Sequence, residues 1–158
     1  MKSASINELK QELRQYNDEK LIELCLRLSR FKKENKELLT YLLFEANDTD
    51  AFVAGIKQEV DESFSEINTS NLYYAKKSIR KILRSVNKYI RYASSKQTEA
   101  ELLIYFCMKM KDSGIKFQKS AALANLYKSQ LKKIIGSIAA LHEDLQHDYS
   151  VQIEKLEI

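Results

Sequence analysis

A run of basic residues in the middle of the chain has a spacing suited to binding phosphates. Between Ile67 and Thr98 the sequence contains eight Lys or Arg residues and no Asp or Glu. On a helix that turns about 100° per residue, seven of them fall on one arc, largely opposite the apolar residues. This arc, called the basic face below, consists of Lys76, Lys77, Arg80, Lys81, Arg84, Lys88 and Arg91. Lysine and arginine neutralise backbone phosphates, so the pattern indicates a surface for a polyanion.

Tyrosines accompany these cations. Tyr73 falls within the basic arc, and Tyr74 and Tyr92 lie at its edge. Aromatic rings beside cations stack on nucleic-acid bases. We therefore predict an anion-binding face between about residues 73 and 92, with nucleic acid as the favoured partner. The cations would contact phosphates, and Tyr73 and Tyr92 would offer ring faces, without reading the base sequence.

The like charges of this face require compensation, because cations at i and i+4 repel each other by a few tenths of a kcal/mol. One alternative to nucleic acid is an acidic protein or an anionic membrane surface. Another is intramolecular, since Glu59, Glu62 and Glu66 have helical spacing on the preceding helix. The face could also simply be solvated. The chain would then be a protein–protein adaptor that uses an apolar groove.

Known catalytic and metal-binding patterns do not fit the sequence. His142 and His147 are five residues apart, about 140° around a helix, so they cannot form the histidine pair of zinc peptidases. Asp48-Thr49-Asp50 has the start of a calcium loop but lacks its central glycine and closing glutamate. The three glycines are isolated, so no phosphate-binding loop is present. We therefore predict a non-catalytic protein with no cofactor and no metal.

The composition predicts an all-α chain. Hydrophobic residues make up 44% and charged residues 30%, with no proline and three glycines. Such a chain lacks the residues that make hairpins and bulges. The apolar period indicates about seven amphipathic helices in a single domain over 1–158, either a bundle or a short solenoid-like array of helix pairs. The helices are expected near residues 5–15, 18–31, 35–46, 50–67, 71–93, 98–112 and 120–147.

Polar residues mark where these helices begin and end. The expected N-terminal caps are Ser5 with Glu8, Asn17 or Asp18, Asn35, the segment 47–50, the segment 68–71, and Thr98 with Glu101. Gly114 is the expected stop of the sixth helix. The fifth helix is expected to bury Leu72, Ala75, Ile79, Ile82, Leu83, Val86 and Ile90.

The remaining features concern the compartment and the charge distribution. Cys25 and Cys107 both lie in apolar helical patterns and are predicted to be core residues. No apolar run approaches the roughly 20 residues of a membrane span, so a cytoplasmic protein is expected. Residues 67–142 carry a net charge of +12 between flanks of −4 each. The acidic tail that ends the sequence could therefore fold back and mask the basic face.

Overall fold

The computed structural model describes residues 2–156, and their backbone forms eight α-helices and no strand. The all-α prediction is confirmed, with one helix more than expected. The helices are α1 (Ile6–Leu13), α2 (Asp18–Phe31), α3 (Lys33–Thr40), α4 (Thr49–Ser65), α5 (Leu72–Ala93), α6 (Lys96–Asp112), α7 (Ala121–Ile138) and α8 (Glu143–Glu154). A π-helical segment, Tyr41–Glu45, follows α3, and a 3₁₀ turn, Phe117–Lys119, precedes α7.

The chain divides into two compact units. The first, Met1–Phe44, contains α1 to α3, and the second, Glu45–Ile158, contains α4 to α8. The boundary falls within the π-helical segment. The expected single domain over 1–158 stays a prediction. No described helix combines the length and the apolar character that crossing a membrane would require.

Several helices begin where the sequence predicts. Ser5 and Glu8 form the expected capping box of α1. The side chain of Asn17 accepts a hydrogen bond from the backbone N–H of Lys20 at 3.0 Å. Asp48 caps α4 and Asn71 caps α5 in the same way. Each cap satisfies a backbone N–H that has no partner inside its helix, so these boundaries are set locally.

Two predicted caps are wrong. Helix α3 begins at Lys33 with no side-chain cap, and the Asn35 amide instead donates to the backbone oxygen of Leu28 at 2.8 Å. Helix α6 begins at Lys96 because Ser95 is its cap, accepting from the N–H of Thr98 at 3.3 Å. Thr98 itself is buried inside the first turn. Asn35 joins two helices and Thr98 packs in the core, so tertiary contacts override both cap signals.

The helix predicted near 120–147 is two helices, α7 and α8. The backbone of His142 is extended, and its Nδ1 accepts from the N–H of Asp144 at 3.5 Å. Glu143 and Asp144 then occupy the first turn of α8, where the helix dipole favours negative charge. Gly114, with φ 71°, follows α6 in the left-handed conformation expected of a helix stop.

The second unit is built around α6, which packs against α4, α5 and α7. Leu103, Phe106, Cys107 and Met110 of this helix are fully buried. The Phe106 ring lies 5.8 Å from the Phe64 ring of α4, measured between centroids. Cys107 is therefore the core residue that the sequence predicts, and burial raises the pKa of its thiol to about 12.

The first unit buries very little of its surface. Among residues 2–44, Tyr41 alone is buried. Helix α2 packs against α3, yet Cys25 of α2 is exposed, so its prediction as a core residue is wrong. An apolar period predicts that a helix has a face to bury, but it does not specify a partner for that face.

Candidate anion-binding face

Helix α5 holds the basic face between two defined ends. Asn71 accepts from the N–H of Tyr73 at 2.9 Å at its start. Ser94 ends it in the left-handed conformation, with φ 49°, and donates its N–H to Ile90 at 3.0 Å. The 22 residues between these caps span about 33 Å. A long, regularly capped helix keeps side chains at i, i+3, i+4 and i+7 on one line.

The inner face of α5 packs against α4 and α6. The predicted residues Ala75, Ile79, Ile82, Leu83, Val86 and Ile90 are buried. Leu72, also predicted to be buried, is 36% exposed. It is the first residue of the helix, and helical side chains lean toward the N-terminus. The Leu72 side chain therefore has no preceding helical turn to pack against.

The outer face presents the predicted cations. Lys77, Arg80, Lys81, Arg84 and Arg91 are exposed, and Lys76 and Lys88 are half-buried. An open depression of about 610 Å³ follows this side of α5. Its lining residues are Tyr73, Lys76, Lys77, Arg80, Leu83, Arg84 and Asn87. Sequence reasoning missed Asn87, although it lies seven residues after Arg80 and so continues the same line.

Six of these cations have no carboxylate partner among the described residues. In the part of the chain that the structure describes, Lys76, Lys77, Arg80, Lys81, Arg84 and Arg91 form no ion pair. The Lys88 Nζ lies 4.7 Å from the centroid of the Tyr89 ring. Like charges on one helix repel each other, so these six cations favour the binding of counterions or of an external polyanion.

Among the described residues, the carboxylates of helix α4 form no ion pair with the six cations named above. Glu59 does reach α5, where it accepts a hydrogen bond from the Tyr89 hydroxyl at 2.9 Å. Glu62 accepts one from the Gln58 amide at 3.0 Å, and Asp61 forms its ion pair with Lys109 of α6 at 2.8 Å. These contacts do not support neutralisation of the six cations by α4.

The tyrosines of α5 fall into two environments. Tyr73 and Tyr74 are 67% and 57% exposed, and their rings meet edge to face with centroids 5.5 Å apart. The Lys76 Nζ lies 5.8 Å from the Tyr73 centroid. Tyr92 lies beside the basic face, with its centroid 6.0 Å from the Lys88 Nζ, but it is buried, so the prediction that it offers an open ring face is wrong. Its ring packs edge-on against Tyr89, which in turn contacts Phe52 of α4, so this edge of α5 is covered.

A second charged cluster joins α4 to α6. The Tyr105 hydroxyl donates to Asp61 at 2.7 Å, and Lys57 pairs with Glu101. The bond from Lys109 lowers the pKa of Asp61, and burial raises the pKa of Tyr105. Each of these charges has a partner within the cluster, and the side chains of Asp61 and Lys109 stay partly exposed. We interpret the cluster as a structural tie between two helices.

The described part of the acidic tail lies against α6 and α7. The Tyr127 hydroxyl donates to the backbone oxygen of Leu156 at 2.8 Å, and Lys111 donates to that of Lys155 at 2.9 Å. Leu156 is 1% exposed. Glu157 and Ile158 lie outside the described residues. Through residue 156, masking of the basic face by this tail is not seen.

The arrangement offers positive charge and two exposed rings rather than reactive groups. Across residues 2–156 no three His, Cys, Asp or Glu side chains come together in a group able to hold a metal ion. The functional argument depends on the chain's own residues: no family model matches it, and no curated protein or solved structure is significantly similar to it.

Proposed function

We propose that this chain is a non-catalytic binding protein whose basic face holds nucleic acid through its phosphates. The observation that carries the proposal is the set of six exposed or half-exposed cations on α5 without a carboxylate partner in residues 2–156. The helix is about 33 Å long. One strand of B-DNA places about ten phosphates along that distance. A polyanion would supply the missing negative charge along the whole line.

The exposed tyrosines favour single-stranded nucleic acid over a duplex. A duplex stacks its bases internally, whereas unpaired bases can stack on protein rings, worth about 1–3 kcal/mol per base. Tyr73 and Tyr74 lie at the start of α5, and Tyr73 lines the same depression as Lys77, Arg80 and Arg84. Phosphates on the cations would thus bring the bases next to these rings.

Charge reversal at the centre of the face tests the proposal. We expect Arg80→Glu with Arg84→Glu to abolish micromolar binding of labelled single-stranded DNA or RNA, because two cations become anions beside the phosphates. The measurement is fluorescence anisotropy at low salt. The matched control is Lys128→Glu with Lys132→Glu, at exposed positions with the same i,i+4 spacing on α7. Both variants reverse two charges and change the formal net charge from +4 to 0, since two reversals remove four units.

The outcomes separate a local site from general attraction. If the control variant still binds nucleic acid and the α5 variant does not, the result supports the basic face as the binding site. An equal loss in both variants would indicate attraction to net charge alone. If the unaltered protein binds neither DNA nor RNA at low salt, the nucleic-acid proposal is wrong.

Replacing both exposed rings tests the strand preference. We expect Tyr73→Ala with Tyr74→Ala to weaken single-stranded binding at least about tenfold and to leave duplex binding nearly unchanged, because only unpaired bases lose a stacking partner. Anisotropy with both forms of one sequence measures this. Tyr16→Ala removes another exposed tyrosine, 41% accessible and outside α5, and serves as the control. Equal losses for the two nucleic acids would contradict stacking on these rings.

A protein–protein adaptor is the second candidate function. Support for it comes from the first unit, where large apolar side chains such as Ile22, Leu28 and Phe31 are more than half exposed. Surfaces of this kind commonly bind other proteins. Binding through them would change little with salt, whereas binding to the basic face would weaken steeply.

A further inference from the structure

The first unit presents an apolar surface larger than a small folded segment normally leaves uncovered. Its large exposed apolar residues are Ile6, Leu9, Leu13, Tyr16, Ile22, Leu26, Leu28, Phe31, Leu42, Leu43 and Phe44. A segment of 44 residues is near the size below which folding usually needs oligomerisation or a cross-link. An extended apolar surface on such a segment marks an interaction site.

Helix α2 carries an ordered part of this surface. Ile22 and Leu26 are exposed and stand at i and i+4, so they form one stripe. Leu21 and Leu24, on the other side of α2, are half-buried. Helix α2 packs against α3, and the Asn35 amide fixes the end of this contact by donating to the backbone oxygen of Leu28. The stripe of Ile22 and Leu26 therefore remains uncovered on the opposite side.

Charges at the two ends of α2 specify what fits this stripe. Asp18 and Glu19 occupy the first turn, and Arg30 lies in the last turn. Lys20 pairs with Glu23 at 2.7 Å, so their charges cancel. Within the described chain Asp18, Glu19 and Arg30 form no ion pair. A helix that is acidic at its start and basic at its end complements an antiparallel copy of itself and repels a parallel one.

We propose that the occupant of the stripe is a second copy of this chain, with the two α2 helices antiparallel about a two-fold axis. Such an interface uses the same patch on both copies. Placing Glu19 of each copy opposite Arg30 of the other puts the axis between Leu24 and Cys25. Ile22 and Leu26 then pack across the axis. A single helix pair buries less than the roughly 800 Å² per partner of a standard interface, so the dimer is reversible and concentration-dependent.

Sedimentation velocity on the full chain under reducing conditions is the first test. Up to about 1 mM protein, an association worth as little as about 4 kcal/mol is visible. We expect a concentration-dependent dimer that Ile22→Lys shifts to monomer. The control, Ile135→Lys, replaces an isoleucine of similar exposure on α7, 54% against 59%, and should leave the dimer intact. A monomer at every concentration, or a dimer unaffected by Ile22→Lys, would overturn the proposal.

Charge exchange tests the antiparallel register. Glu19→Arg should weaken the dimer at least about fivefold, a change of about 1 kcal/mol, and Glu19→Arg with Arg30→Glu should restore it. Failure of the double variant to restore the dimer would refute the antiparallel arrangement.

Discussion

Raising the salt concentration from about 50 mM to about 200 mM is expected to weaken binding to the basic face by roughly a thousandfold for a duplex and roughly 250-fold for a single strand. The six cations that have no carboxylate partner within residues 2–156 would each displace a condensed counterion from a phosphate, and added salt opposes that release. The logarithm of the binding constant should fall linearly with the logarithm of the salt concentration, with a slope near about −5 for a duplex and about −4 for a single strand. Anisotropy titrations at several salt concentrations measure the slope.

The slope itself identifies the residues that contact phosphates. The variant Arg80→Gln with Arg84→Gln, which removes the two charges without reversing them, should have a slope shallower by about two units, because two contacts are gone. Lys128→Gln with Lys132→Gln should keep the slope of the unaltered protein. Affinity that hardly changes over this salt range would contradict phosphate binding and would favour an apolar contact with another protein.

Replacing Phe106 by alanine is expected to lower the free energy of unfolding by about 3–5 kcal/mol. The side chain is fully buried on α6, and its ring packs 5.8 Å from that of Phe64. Truncation loses the transfer free energy of the ring and leaves a cavity among α4, α6 and their neighbours. A loss of this size is a large part of the roughly 5–15 kcal/mol that stabilises a typical domain. Urea unfolding followed by far-ultraviolet circular dichroism measures the change.

Met108 provides the control on the same helix. Its side chain is 37% exposed, so Met108→Ala should change the free energy of unfolding by less than about 1 kcal/mol. Similar losses from the two substitutions would contradict the central position of α6. Because α5 packs on α6, the Phe106 variant should also lose nucleic-acid binding at temperatures that unfold it.

Those features of the fold that depend on local sequence could be predicted. Ser5, Asn17, Asp48 and Asn71 cap their helices because a short polar side chain reaches a backbone N–H within three residues. The start of α6 follows the same rule, because the Ser95 side chain reaches the N–H of Thr98, but the capping box predicted at Thr98 and Glu101 placed that start too late. Ser94 takes a left-handed conformation that glycine usually adopts, so α5 and α6 are joined by two residues with no glycine to mark the turn.

Some features of the candidate site could likewise be predicted from the sequence, and others could not. The position of the cations on one side of α5 follows from helical spacing, and the depression gathers four of them. The burial of Tyr92 depends on contacts with Tyr89, and through it with Phe52 of another helix, which spacing does not reveal. Cys25 is the opposite case. It lies in an apolar pattern like that of Cys107, but no neighbouring element covers its side of α2, so it is exposed. Periodicity gives the direction of a side chain, whereas burial depends on a neighbouring element.

We expect the contrast between α6 and the first three helices to govern how fast backbone amides exchange with solvent deuterium. Amides in α6 are enclosed by neighbouring helices, so they should exchange only when the whole second unit unfolds. Amides in α1 to α3 lie on helices with no buried side chain and should exchange through small local openings. Within residues 2–156, slow exchange is thus expected directly beneath the basic face. A polyanion bound there would rest on helices that open less often than α1 to α3.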